Sequence, residues 1–155
     1  MGRDTPAQVD DIDTLLMSEL EKDGRLPIAD LARKAGITRT TARKRLAALI
    51  DNELISIVGW SNPFALGYNL NVIMGLSVQH KYIDDIASEL KARSFVQSVI
   101  VTTGRFDMMV WAFFRDQQHL GEFLKRDLGS YDAITDIDTM MILEVEKAFT
   151  KLLSS

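Results

Sequence analysis

Apolar positions along the chain follow two regimes. Up to residue 50 they recur every three or four residues; from residue 71 they mostly alternate, with two further helical stretches between the alternating runs. Ile12, Leu15, Leu16 and Leu20 predict a helix over residues 9–22, with Asp10, Asp11 and Asp13 at the end where the helix dipole favours acid. Asp23-Gly24 stops it, and Pro27 suits the first turn of a short second helix carrying Ile28, Leu31, Ala32 and Ala35 up to Gly36. Thr38 is a good N-cap for a third, whose stripe is Ala42, Leu46, Leu49 and Ile50. Two short helices joined through a glycine turn form a helix-turn-helix pattern. Residues 54–60, LISIVGW, predict a short strand or wing, and residues 61–70, opened by Ser61-Asn62-Pro63, read as a linker. Residues 9–60 are thus expected as one domain and 71–155 as a second.

In the second domain, Val72, Met74, Leu76 and Val78 alternate through a strand over 71–80, and Ile83, Ile86, Ala87 and Leu90 mark a helix over 82–93. Strands over 96–103 and 107–115 follow, separated by a turn at Gly104-Arg105-Phe106. A helix over 117–128, a strand over 134–143 and a tail helix over 144–153 complete the reading. The order βαββαβ predicts a ferredoxin-like α+β domain with both helices on one face of an antiparallel sheet. A solvated second face should be polar at alternate positions, yet residues 108–114 contain no polar side chain, and Met140 and Ile142 alternate with Thr139 and Met141. Such a face points to sheet-to-sheet homodimerisation. The other reading is that the N-terminal domain or the tail covers it within one chain.

Composition narrows the chemistry. With 155 residues split between two domains, each core is thin and oligomerisation is expected. Apolar residues make up 46% and charged residues 26%, which suits a folded globular chain. No apolar run approaches the roughly 20 residues that span a bilayer, and the polar, acidic start is unlike a secretory signal, so a cytoplasmic protein is expected. There is no cysteine, and His80 and His119 lie far apart, so neither a metal site, a cofactor nor an enzyme's nucleophilic couple is expected. The net charge of −4 conceals an uneven distribution. Residues 31–50 hold six bases (Arg33, Lys34, Arg39, Arg43, Lys44 and Arg45) and no acid, with Asp30 and Asp51 just outside. Arg39, Thr40, Arg43 and Lys44 project away from the third helix's apolar stripe, where Thr40 and Arg43 can reach base edges of double-stranded DNA and their neighbours can pair with phosphates. Thr41 and Ala42 face packing. A merely solvated basic face is the alternative.

Taken in order, VDDIDTLLMSELEKDGR, LARKAGITRTTARKRLAALIDNELI, NPFALGY and TTGRFDMMV closely resemble the Lrp/AsnC, or feast/famine, transcription regulators over nearly the whole chain. The resemblance implies a winged helix-turn-helix, a domain that binds amino acids or related small molecules, and dimers that assemble further, often to octamers. It places Thr38, Arg39, Thr40, Arg43, Lys44 and Arg45 at the DNA-facing helix, although Arg45 can instead brace the fold. The family's Gly-x-Tyr/Phe-Asp motif stands here as Gly104-Arg105-Phe106-Asp107, at a turn that lines an effector pocket between subunits. Asp107 is then the prime ligand contact, with Thr102 beside it and Thr135, Asp136 and Thr139 facing it from a neighbouring subunit. A turn-capping carboxylate is the competing role for Asp107. The family's proline-containing approach to the last strand is replaced here by Gly129-Ser130-Tyr131-Asp132-Ala133, where Tyr131 and Asp132 bear on ligand preference. Two rivals to an effector-responsive regulator stand beside this reading: an architectural DNA-packing protein, and a sirohaem decarboxylase. The second resembles the family in both domains but carries a histidine-rich active region, whereas VIVTTGRFDMMVWAF has no histidine.

Overall fold

The computed structural model describes residues 9–146, which divide into two units at Trp60/Ser61. In the first unit, α1 (Asp11–Lys22) begins at Asp11 because Asp10 serves as the N-cap. The Asp10 carboxylate accepts the Asp13 N–H at 2.9 Å, while Asp13 Oδ2 accepts the Asp10 N–H at 3.4 Å, a reciprocal capping box. The helix buries Leu16, Met17 and Leu20 and leaves Leu15 partly exposed. Its successor α2 (Ile28–Lys34) follows Pro27 and ends in a Schellman turn. There the Gly36 N–H reaches the Arg33 carbonyl and the Ile37 N–H the Ala32 carbonyl, a geometry that needs the positive φ of 65° that Gly36 supplies. At the start of α3 (Arg39–Asp51) the Thr38 hydroxyl accepts the Thr41 N–H at 3.1 Å, the expected cap. Ala42 and Leu49 are buried and Leu46 packs beside them, but Ile50 lies outside the stripe and is exposed.

Beyond α3 the expected strand or wing at 54–60 does not form. The Leu54 and Ile55 N–H groups return to the Leu49 carbonyl, and no ladder continues through Trp60. A β-rich composition cannot make a strand without a neighbouring edge to pair with, and the described residues of this unit contain no strand.

The second unit contains β1 (Leu70–Val78), α4 (Ile83–Lys91), β2 (Val96–Val101), β3 (Met108–Phe114), α5 (Gln117–Glu122) and β4 (Ile134–Met141). Sheet order is β2-β3-β1-β4 with every neighbour antiparallel, the arrangement expected from βαββαβ. Residues 61–70, expected as a linker, pack within this unit. The Asn62 side chain caps a short turn at Phe64–Leu66, Phe64 lies edge-on to Phe113 at 5.8 Å, and the Arg115 guanidinium sits over Tyr68. Several expected ends shorten. β1 stops at Val78, and α5 gives way to a π-helical turn at Phe123–Asp127 and a 3-10 turn at Leu128–Ser130. Residues 144–146 are not helical, and the remainder of the expected tail helix lies outside the described residues.

Val72, Met74, Leu76, Met108, Val110 and Phe114 fill one sheet face and share a core with Ile86 and Leu90 of α4 and with Phe123 and Leu128. Each large side chain fully buried this way contributes about 1.5–3 kcal/mol. His119 belongs to this packing: its ring lies edge-on to Phe95 and Phe114, and its Nδ1 accepts the Arg115 N–H. Residues of alternate register make the opposite face. Ile73 lies between Trp111 and Met140, and Gly75 between Met109 and Asp138. Ile73, Met109 and Trp111 are half-buried, and Met140 is exposed. At one end of that face Asn71 is buried and accepts the Trp111 indole N–H at 2.6 Å, as a buried amide requires.

Candidate functional site

The first unit separates its bases into two groups. Arg33 pairs with Asp30 at 2.7 Å and Lys34 with Glu19 at 2.7 Å, while Arg45 Nη1 spans Asp10 at 2.7 Å and Asp13 at 2.9 Å. Thus three of the six bases in the acid-free window are engaged by carboxylates lying outside it. These pairs mark the titration of their members: the Asp13 N–H and then Arg45 hold Asp10 below the usual carboxylate range, and Lys34 and Lys22 do the same for Glu19. Arg39, Arg43 and Lys44 have no ion-pair partner among the described residues, and all three are exposed together with Thr40. Thr38 is spent on the helix cap, and its hydroxyl also meets that of Thr41 at 2.8 Å.

Residues 102–107 form a turn closed by its own bonds and fastened through Asp107 to the end of β1. The Thr102 N–H reaches the Asp107 carbonyl, and the Thr102 hydroxyl donates to the Phe106 carbonyl at 2.6 Å. The Asp107 N–H reaches the Leu76 carbonyl, and its carboxylate accepts the Val78 N–H at 2.8 Å, beside the register shift between Ser77 and Val78. Gly104 turns the chain at φ 117°. Phe106 lies flat over Gly75, so close that a Cβ there would stand 2.5 Å from the ring. The Arg105 guanidinium stacks on Phe106 at 4.9 Å and reaches Asp138 at 3.5 Å.

Thr102, Arg105, Phe106 and Asp107 are therefore brought together in one chain, and Asp138 joins them, a residue that alternation gave no reason to single out. Thr135 donates to the Ser77 carbonyl at 3.2 Å, and Asp136 stands opposite Ser77. Thr139 stands opposite Met74 and so lies on the helix-bearing face, away from Asp136. A groove of about 610 Å³ runs between α4 and the approach to β4, walled by Tyr131 and Asp132, which the sequence singled out, and by Tyr82 and Glu89, which it did not. Tyr131 donates its phenol proton to the Glu89 carboxylate. Burial first, then that bond and the Glu89 charge, push the phenol up to about 12. Among the described residues no helix is long and apolar enough to cross a membrane.

Comparison with known proteins covers both units. An AsnC-type helix-turn-helix domain matches residues 9–50, and the Lrp/AsnC ligand binding domain matches residues 71–152. The transcriptional regulator LrpA of Pyrococcus horikoshii is 31% identical over 139 residues, covering 88% of this chain and 97% of its own length. Regulator FL11 of Pyrococcus furiosus is 30% identical over 145 residues, covering 93% and 95%. Among solved structures, a transcriptional regulator of Neisseria meningitidis in complex with L-Met has a TM-score of 0.85 at 22% identity, covering 94% of this chain and 96% of its own. AsnC of E. coli has a TM-score of 0.83 at 20% identity, covering 93% and 98%. With both unit types matched in one order, the chain belongs to the Lrp/AsnC family of transcription regulators.

Proposed function

We propose that the chain is a sequence-specific DNA-binding regulator, not an enzyme, acting in the cytoplasm, whose DNA binding or assembly responds to an amino acid or a related small molecule. The observation that carries the proposal is the division of charge in the first unit: the fold neutralises Arg33, Lys34 and Arg45 and leaves Arg39, Arg43 and Lys44 exposed on α3 beside Thr40. In this reading Thr40 and Arg43 meet base edges, while Arg39 and Lys44 meet phosphates. On a duplex selected from a random pool, Thr40→Ala and Arg43→Ala should each cost about 1–3 kcal/mol. Lys44→Ala should weaken all sequences alike and reduce the salt slope by about 0.9. Unchanged affinity in all three variants would falsify this assignment.

The second unit serves, in the same proposal, as the homodimerisation and sensing domain. The apolar face around Ile73, Met109, Trp111 and Met140 supports pairing of two sheets, and family membership supports assembly beyond the dimer. The turn at 102–107 is proposed to line the effector site, completed by Thr135 and Asp136 of a neighbouring subunit, while Thr139, on the helix-bearing face, is left out of it. The L-Met complex of the Neisseria regulator makes amino acids the first candidates. A ligand there can act only through its different affinity for two assembly or DNA-bound states. Calorimetric titration with the standard amino acids, followed by sedimentation with any ligand found, tests this half; no heat at millimolar concentration removes it.

A further inference from the structure

The engagement of Arg45 raises a question that the DNA-facing bases do not. It shares their helix and lies two residues from Arg43, yet two residues along an α-helix rotate by about 200°, which leaves Arg45 roughly 160° around the axis from Arg43. Its neighbours on the helix face are Ala42, three residues before, and Leu49, four residues after, and both are buried. Arg45 thus stands on the face turned toward the core. Its partners converge from one place, the first turn of α1. Asp10 is the N-cap of that helix and Asp13 is the third residue of the same capping box, so the group that starts α1 is also the group that holds α3. Side-chain exposure falls to 15% at Asp13 and 31% at Arg45, so that contact is partly sheltered from solvent screening, while Asp10 keeps 51%. A guanidinium shared between two carboxylates is directional in a way that a lysine ammonium is not.

We propose that Arg45 is a positioning residue for DNA binding: spanning Asp10 and Asp13, it sets the angle of α3 against α1, and its guanidinium does not touch DNA. The proposal rests on the reading of α3 as the DNA-contacting helix. Of the two roles open for Arg45 in the sequence, it takes bracing over DNA contact, and it adds two acids, Asp10 and Asp13, to the residues that DNA affinity depends on.

Two roles for Arg45 predict opposite signs when the acids are neutralised. If Arg45 contacted a phosphate, D13N or D10N would free a cation and remove a nearby negative charge, and affinity would rise. With Arg45 as a clasp, both variants weaken binding. Asparagine is as good an N-cap as aspartate, so D10N removes the charge and keeps the cap. The experiment measures, on the full-length protein and one selected duplex, the dissociation constant and its salt dependence for wild type, R45A, R45K, D10N, D13N and the R45A/D13N pair. All are compared at a temperature where thermal melts show each variant fully folded. The expected result is a loss of roughly fivefold for R45A and somewhat less for D13N and D10N, partial recovery in R45K, an unchanged salt slope, and a double variant no weaker than R45A alone. Tighter binding by D13N, or a salt slope lower by about 0.9 in R45A, overturns the proposal in favour of direct contact. A lowered melting temperature with unchanged affinity overturns it in favour of a purely stabilising pair. If R43A and K44A also bind as wild type does, the underlying DNA reading of α3 fails instead, and the clasp's role in affinity falls with it.

Discussion

The α3 helix and the turn at 102–107 carry the two sets of residues on which regulation is proposed to depend, and the fold treats them in opposite ways. On α3 the side chains that matter are those the fold leaves alone: Arg39, Thr40, Arg43 and Lys44 are exposed, while Arg45, nearer the core, is paired. At the turn, the side chains of Thr102, Arg105, Phe106 and Asp107 are already in use within the chain. Asp107 holds the Val78 N–H, Phe106 fills the space over Gly75, and Arg105 bridges to Asp138. A DNA interface can be a passive display, since the polyanion supplies the driving force. A sensing turn must instead be coupled to the body of its domain, and bonds to β1 are a means of coupling.

The largest effect should come from the sheet face beneath the turn. Ile73, on the inner strand β1, stands between Trp111 of β3 and Met140 of the edge strand β4, and Ile73→Glu would place an unpaired carboxylate within any sheet-to-sheet contact, at a cost of several kcal/mol. Sedimentation of the full chain at micromolar concentration should show wild-type dimers or larger and a folded monomer for the variant. A variant that still dimerises would move the interface elsewhere and separate the turn from assembly.

Next in size is Gly75→Ala. The added methyl meets the Phe106 ring at 2.5 Å, so the turn must lift or the strand must bend, and overpacking of this kind costs about 1–3 kcal/mol. A thermal melt should show the loss, and Gly75→Ala combined with Phe106→Ala should recover most of it. No loss in the single variant would mean that Phe106 leaves its seat freely and the turn is looser than its bonds suggest.

How far this contrast could be read in the sequence follows from how local its causes are. Helix periodicity and the Thr38 cap act within four residues, so the start of α3, its buried Ala42 and Leu49 and its outward bases were legible, as was the βαββαβ order. The partners of Arg45 lie 32 and 35 residues away, and no spacing rule links them. Residues 54–60 have the composition of a strand, but composition does not reveal that the described residues of the unit offer no pairing edge. Residues 61–70 carry the proline and glycine of a linker and yet pack through Phe64 and Tyr68, because aromatic contacts ignore local breakers. Asp107 was legible as a candidate ligand contact or as a turn cap. The Val78 N–H that it accepts arises from the β1–β4 register shift, which is a property of the assembled sheet.

That bond gives a sharper test of the turn. Asp107→Asn keeps an oxygen for the Val78 N–H and loses the charge, whereas Asp107→Ala loses both and leaves a donor without its partner, a cost of about 1–3 kcal/mol. If the carboxylate only fastens the turn, the asparagine variant should match wild type in stability and in any amino-acid binding. If its charge also meets a ligand's ammonium group, the asparagine variant should stay stable and lose binding by calorimetry. Equal stability of the alanine variant would instead mean that the turn does not depend on this bond.

The smallest effect concerns the groove, and it asks whether polar groups of the second unit are tied up away from the turn as well. Tyr131 donates to Glu89, and burial together with that carboxylate pushes the phenol up to about 12, against about 10 in an unfolded chain. A raised phenol favours the fold in its neutral form. Its contribution is therefore complete below about pH 10 and is lost as pH rises from there toward 12, because the unfolded chain gives up its proton first. Tyr131→Phe cannot ionise and cannot donate to Glu89. Denaturant melts should place it below wild type by a constant, small margin through pH 8 and 9, and the two curves should converge as the wild type alone loses stability above pH 10. Parallel curves through pH 11 would mean that the phenol titrates as an ordinary surface tyrosine, and that Glu89 and Tyr131 are open to a ligand as the outward bases of α3 are open to DNA.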